Sequence, residues 1–179
     1  MTEAELAALV SQHLTERGIK VVLSGGTCVT IYADRAYVSG DLDFVQETFV
    51  RMSTVASALA EIGFVRAARV FKHADALLVV DVRPPPLSVG AEPVKRIAQM
   101  TLPTGTLRLL SATDCVKDRL AGYYYFDDRQ CLEQARLVVA HAADVDLAEV
   151  ERWSKSEGQQ QKFSAIQSLL QQSRPGRAP

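Results

Sequence analysis

The chain has 179 residues, of which 47% are hydrophobic and 23% charged, with a formal net charge of −1. That make-up suits one compact domain, or one core with a small helical appendage. It excludes a general electrostatic pull toward nucleic acid or an anionic membrane surface, while leaving room for a local basic groove. The three cysteines, Cys28, Cys115 and Cys131, match no CxxC spacing. Reduced thiols in a cytoplasmic protein are expected, not a disulfide framework or a zinc site. The opening stretch MTEAELAALVSQHLTERG is acidic and amphipathic, unlike a secretory signal. The longest apolar run, ALLVV before Asp81, is too short to cross a bilayer. No membrane contact is expected.

Thr2 and Glu5 have the spacing of a capping box, and Leu6, Leu9, Val10 and Leu14 then recur at helical intervals up to Gly18. A strand is expected over 19–23, then the Gly25-Gly26 break, a helix over 27–36 and a strand over 41–45. Phe49, Met52, Val55, Ala56, Leu59 and Ile62 form a helical stripe within 48–62, closed by Gly63. Strands are expected over 64–71 and 76–82, followed by a proline-stiffened loop, VRPPPLSVG, and a hairpin turning at Pro103-Thr104-Gly105. After Ser111 the strand signals stop. Helices are expected over 113–126, 129–141, 147–154 and 160–171. The division is an α/β core over 1–110, a helical region over 111–172 packed on it, and a disordered tail over 173–179. The fold class is α/β (α+β), with one mixed sheet flanked by helices.

The chemistry concentrates in SGGTCVTIYADRAYVSGDLDF, Ser24 to Phe44. Side chains alternate along a strand, so Asp41 and Asp43 share a face while Leu42 and Phe44 enter the core. Their α-carbons should lie about 6.5–7 Å apart. Two carboxylates so placed can converge on one divalent ion or bracket a pair. Asp81 lies within LLVVDVR, a near-continuous apolar run. A lone ionised carboxylate there is costly to bury and needs a partner. A cation shared with Asp41 and Asp43 would serve, and three oxygen ligands suit Mg²⁺. The features also have plainer readings. A DxD pair alone is more often a pair of acids at a strand end facing solvent or capping a helix, and Asp81 alone could sit on an edge strand or pair with Arg83. Gly25-Gly26 alone reads as a strand-to-helix turn. The amides after it, at Thr27 and Cys28, would open a helix N-terminus that favours phosphate, with Ser24 and Thr27 adding hydroxyls.

Taken together, LSGG at 23–26, DLDF at 41–44 and the distant acid Asp81 resemble the signature of the polymerase-beta-like nucleotidyltransferases. GGT and YVSGDLDF look most like the minimal, abortive-infection-type members. The resemblance covers about residues 19–85. It implies that Gly25 and Gly26 hold nucleotide phosphates, that Asp41 and Asp43 bind two Mg²⁺, and that Asp81 binds the ion activating the acceptor hydroxyl. It places Ser39 near the triphosphate and Lys117 within reach of it, and it loosely likens Asp127, Asp128 and Arg129 to a later cluster. The implied activity moves NMP from an NTP to a hydroxyl on RNA, protein or a small molecule. The alternative is a catalytically silent module of the same fold, such as one half of a toxin–antitoxin pair with a cognate protein partner. Scattered histidines (His13, His73 and His141) argue against a metallohydrolase of another fold. Tyr123 to Phe126 read as core packing more than base stacking, and Trp153 as an anchor between late helices.

Overall fold

The structure, a computed structural model, describes residues 1–174 and 176. Seven of the strands form one mixed sheet in the order β3-β4-β5-β2-β1-β9-β8. These are β1 (Val21–Ser24), β2 (Asp41–Gln46), β3 (Val65–Ala67), β4 (Val70–Lys72), β5 (Val79–Arg83), β8 (Ile97–Leu102) and β9 (Gly105–Leu110). β1 runs antiparallel to β2 and parallel to β9, and β2 runs parallel to β5. The C-terminal end of β1 therefore meets the N-terminal ends of β2 and β5. That shared end carries most of the predicted site.

Helix α1 (Glu3–Glu16) starts with the expected capping box: Thr2 accepts from Glu5 N–H and Glu5 bonds back to the Thr2 N–H. Its buried face, including Ala8, Val10 and Leu14, packs on β1, β8 and β9 and on α3 (Met52–Ala60). Leu42 and Phe44 are fully buried and alternate with half-buried Asp41 and Asp43. Helix α2 (Gly25–Tyr32) follows β1 directly. The C-terminal helices α4 (Ala112–Phe126), α5 (Arg129–His141), α6 (Leu147–Ser156) and α7 (Gln160–Gln172) then pack on one another, and α4 and α5 also touch α2.

Four local expectations are corrected. The helix after the glycines ends at Tyr32, because Asp34 and Arg35 take positive φ (47° and 62°) that no helix continues through. The stripe from 48 becomes helical only at Met52. Phe49 is 70% exposed, and the Gln46 side chain instead accepts from the Val50 N–H. The single strand expected over 64–71 is a hairpin, β3 and β4, turning at Ala68 (φ 57°). The proline loop holds a small second hairpin, β6 (Ser88–Val89) with β7 (Glu92–Pro93). Trp153 anchors more than helices: its indole N–H donates to Val89 O at 3.2 Å, and its ring stacks on Tyr124. Of the expected tail, residues 175 and 177–179 lie outside the described residues. Ser173 closes α7, and the Arg174 guanidinium donates to Val145 O at 2.7 Å.

Candidate active site

Strand pairing assembles the carboxylates. Ser24 of β1 is the register partner of Asp43, and Asp43 is in turn the register partner of Asp81 on β5. Register partners in neighbouring strands sit about 4.8 Å apart and face the same way, and Asp41 shares the face of Asp43. β5 lies between β4 and β2, so Asp81 is not on an edge strand. The three acids form a ridge across β2 and β5.

Two like charges side by side need compensation, and Arg83 supplies it. Two residues beyond Asp81 on the same face, it donates from Nε to Asp81 Oδ2 at 3.0 Å and from Nη2 to Asp43 Oδ1 at 2.8 Å. The Asp43 side chain is only 14% exposed and that of Asp81 26%, whereas Arg83 is 58% exposed. Burial pushes the Asp43 carboxyl above its ordinary pKa. Repulsion from Asp41 adds to this, Arg83 opposes it, Asp81 adds again and Arg119 opposes. Burial works against the Arg83 cation, yet Asp81 and Asp43 hold its pKa above the usual value.

The glycines have a specific reason to be glycines. A Cβ on Gly25 would lie 2.3 Å from Asp43 Oδ2, and Gly25 sits at φ +69°. A Cβ on Gly26 would lie 2.7 Å from Ser39 Oγ. The space that sequence reasoning assigned to a nucleotide's phosphates is thus partly taken by the groups that build the ridge. Ser39 Oγ donates to Asp41 Oδ1 at 2.8 Å, which orients that carboxylate. The Thr27 hydroxyl donates to Asp41 O and the Ser24 hydroxyl to Asp43 O, the latter at 3.3 Å. Ser24 is therefore not a side-chain cap for α2, whose first-turn amides have no such partner.

The structure does not bring Lys117 into contact with the ridge. The Lys117 side chain is 7% exposed and bonds Glu149 Oε1 at 2.7 Å and Asp114 Oδ1 at 3.3 Å. Glu149 continues to Arg152 and from there to Glu92, a chain tying α4, α6 and β7 together. Arg119, two residues further along α4, makes no hydrogen bond or ion pair with the ridge either. It is half-buried, bonded to Asp118 Oδ2 and Gln134 Oε1, and its charge is the smallest of the influences on the Asp43 carboxyl. Asp127 and Asp128 close α4 and cap α5, Asp128 Oδ1 accepting from Gln130 N–H at 2.9 Å. Tyr124 is core, bonded to Ser154, while Tyr125 and Phe126 are exposed.

Among the described residues no group of three His, Cys, Asp or Glu side chains meets metal-holding geometry. The donor chemistry nevertheless suits a hard cation. The ridge offers only carboxylate oxygens, and Asp43 and Asp81 already hold a positive group between them, the Arg83 guanidinium standing where charge is required.

No protein-family model matches the chain, and no curated protein matches it significantly. Solved structures do. An antigenic nucleotidyltransferase-like protein from Paracoccidioides brasiliensis is similar at a TM-score of 0.66 and 13% identity, with 96% of this chain and 94% of that one covered. ANT(2")-Ia in complex with adenylyl-2"-tobramycin matches at 0.57 and 13% identity, over 87% and 95% of the two chains. The lincomycin-bound lincosamide antibiotic adenylyltransferase LnuA matches at 0.52 and 16% identity, over 77% and 96%. At these identities the likeness is one of fold: the chain has a nucleotidyltransferase-type α/β fold.

Proposed function

We propose that the chain is an Mg²⁺-dependent nucleotidyltransferase that moves NMP from an NTP to a hydroxyl of a small-molecule acceptor. The observation carrying this reading is the in-register pair Asp43 and Asp81 beside Asp41. They lie at the sheet end where α2 begins, with Gly25 bare so that the Asp43 carboxylate can lie against its backbone. The fold likeness to two antibiotic adenylyltransferases supports the transfer, and their small-molecule ligands favour that acceptor class over RNA or protein.

Asp41 and Asp43 would hold both ions, and Asp81 the one nearer the acceptor. Bound there, the metal would supply charge stabilisation for the attacking and departing oxygens. Ser39 keeps the Asp41 carboxylate aimed. The uncapped amides of Gly25 to Cys28, with the Ser24 and Thr27 hydroxyls beside them, would receive phosphate oxygens at the N-terminus of α2. Arg119 would supply a fixed cation for the polyphosphate, and Lys117 would brace α4. Asp81, the more exposed of the register pair, would take the acceptor hydroxyl's proton. The acceptor oxygen then bonds to the α-phosphorus, the α–β bridging bond breaks and pyrophosphate leaves.

Thermal shift and calorimetry with each NTP and MgCl₂, on wild type and the Asp41→Ala/Asp43→Ala double variant, test this. Stabilisation by one or more nucleotides in wild type only is expected, and equal stabilisation in both would sink it. Incubation of α-³²P-labelled NTPs with a small-molecule extract then identifies the labelled acceptor.

A further inference from the structure

The end of the sheet that carries the ridge has a second concavity, around its rim. A cavity of about 600 Å³ opens between the first turns of α1, the 38–40 loop entering β2 and the 73–78 loop entering β5. That volume is in the range of small-molecule sites, about 300–1,000 Å³. Leu6, Ile62 and Phe64 are among its apolar lining residues, Phe64 from beneath the surface at 1% exposure. Its mouth is apolar too. Eight large hydrophobic side chains are exposed among the described residues, and three of them, Met1, Val38 and Leu77, line this cavity. Leu77 is fully exposed (102%), so the 73–78 loop spends an apolar side chain on solvent here. Exposed apolar surface gathered around a concavity is the mark of a binding surface.

Glu3 and Asp75 line the cavity and neither Lys nor Arg does, while Met1 brings the N-terminal ammonium to it and His73 an imidazole. Glu3 is matched by Arg35 at 2.7 Å, which leaves Asp75, exposed on its loop, as the lining carboxylate without an ion pair among the described residues. The Asp75 backbone N–H donates to His73 Nδ1 at 3.0 Å, and the His73 ring packs on Phe64. The carboxylate therefore sits on a braced turn. Ser39 belongs to both sites: it lines the cavity, and its hydroxyl holds the Asp41 carboxylate.

We propose that this cavity is a second small-molecule site, for a ligand with an apolar body and a protonated amine, and that its occupancy is linked to the ridge through Ser39. The apolar body packs on Leu6, Ile62 and Phe64 while the amine faces Asp75. A ligand pressing on Ser39 changes how firmly Asp41 is aimed. The linkage half rests on the nucleotidyltransferase reading, and the binding half does not.

Binding and linkage are read separately, on the full chain. 1-Naphthylmethylamine is titrated by its fluorescence, without nucleotide or metal, beside 1-naphthylmethanol and 1-naphthylacetate. The amine is expected to bind about two- to fivefold tighter than the alcohol, the range of one rim-exposed charge pair, and the carboxylate weakest. Asp75→Asn should erase the preference for the amine. Ala76→Trp and Val38→Trp, two separate ways to fill the mouth, should abolish binding, while Asp41→Ala/Asp43→Ala should retain it. Carboxylate binding as tight as amine binding, or unchanged binding in both tryptophan variants, would overturn the site. For linkage, saturating amine should shift NTP·Mg²⁺ affinity in wild type and not in Ala76→Trp. An unshifted affinity in wild type overturns the link. Absence of any NTP binding, with probe binding intact, overturns the nucleotidyltransferase reading and the link, and leaves the site standing.

Discussion

Gly25→Ala is the sharpest probe of how the ridge is built. Gly25 and Gly18 have nearly the same backbone, φ +69° and +74°, but different surroundings. A Cβ at Gly18 meets nothing within 4 Å, whereas one at Gly25 falls 2.3 Å from Asp43 Oδ2 and 3.0 Å from its Cγ. The left-handed conformation costs an alanine about 1–2 kcal/mol at either position. At Gly25 the Asp43 carboxylate must also swing away, losing its 2.8 Å bond to Arg83 and crowding its neighbours. Overpacking of that kind costs about 1–3 kcal/mol. Gly18→Ala should therefore lose about 1–2 kcal/mol in urea denaturation and Gly25→Ala about 2–5 kcal/mol. NTP·Mg²⁺ stabilisation should survive in the first variant and vanish in the second. Equal losses in the two, or retained nucleotide stabilisation in Gly25→Ala, would refute the claim that this glycine exists to admit the carboxylate.

Arg83→Gln should strip the ridge of its internal cation. Two carboxylates about 5 Å apart repel by about 3 kcal/mol at an effective dielectric of 20, which exposure of the guanidinium reduces to about 1 kcal/mol of lost stability. Mn²⁺ titration followed by electron paramagnetic resonance should show several-fold tighter binding in the variant, and weaker binding would count against Arg83 as a stand-in cation. The pH dependence of Asp43 has a definite sign. Its folded pKa is raised, chiefly by burial, so the stability it contributes is present below the ordinary carboxylate range and lost as pH rises through the raised value. Melting curves of Asp43→Asn without metal should therefore gain on wild type as pH rises from about 4 toward 7, and a gap that closes instead contradicts the sign. Lys117→Met should cost about 1–3 kcal/mol, since Asp114 and Glu149 lose their shared partner. It should leave NTP affinity unchanged, whereas Arg119→Met should weaken NTP·Mg²⁺ binding about tenfold by calorimetry. The opposite pattern would return the phosphate role to Lys117.

Much of this protein was readable one residue at a time. The capping box at Thr2, the period-two alternation of Asp41 to Phe44 and the helical stripes after Ser111 are local patterns, and local backbone geometry alone turns them into α1, β2 and α4 to α7. The α/β class and the shared face of Asp41 and Asp43 follow from those periods. Strand order and register do not, because pairing joins residues distant in the chain through hydrogen bonds that every residue offers alike. Only the folded sheet decided that Asp43 stands beside Asp81 and that Gly25 makes room for a carboxylate. Only it took Lys117 away to Glu149, across 32 residues, and seated Arg119 between Asp118 and Gln134. Spacing along a helix or strand states which way a side chain points relative to its neighbours. What it meets there is settled by packing, where every buried charge must find a partner and each takes the nearest that geometry allows.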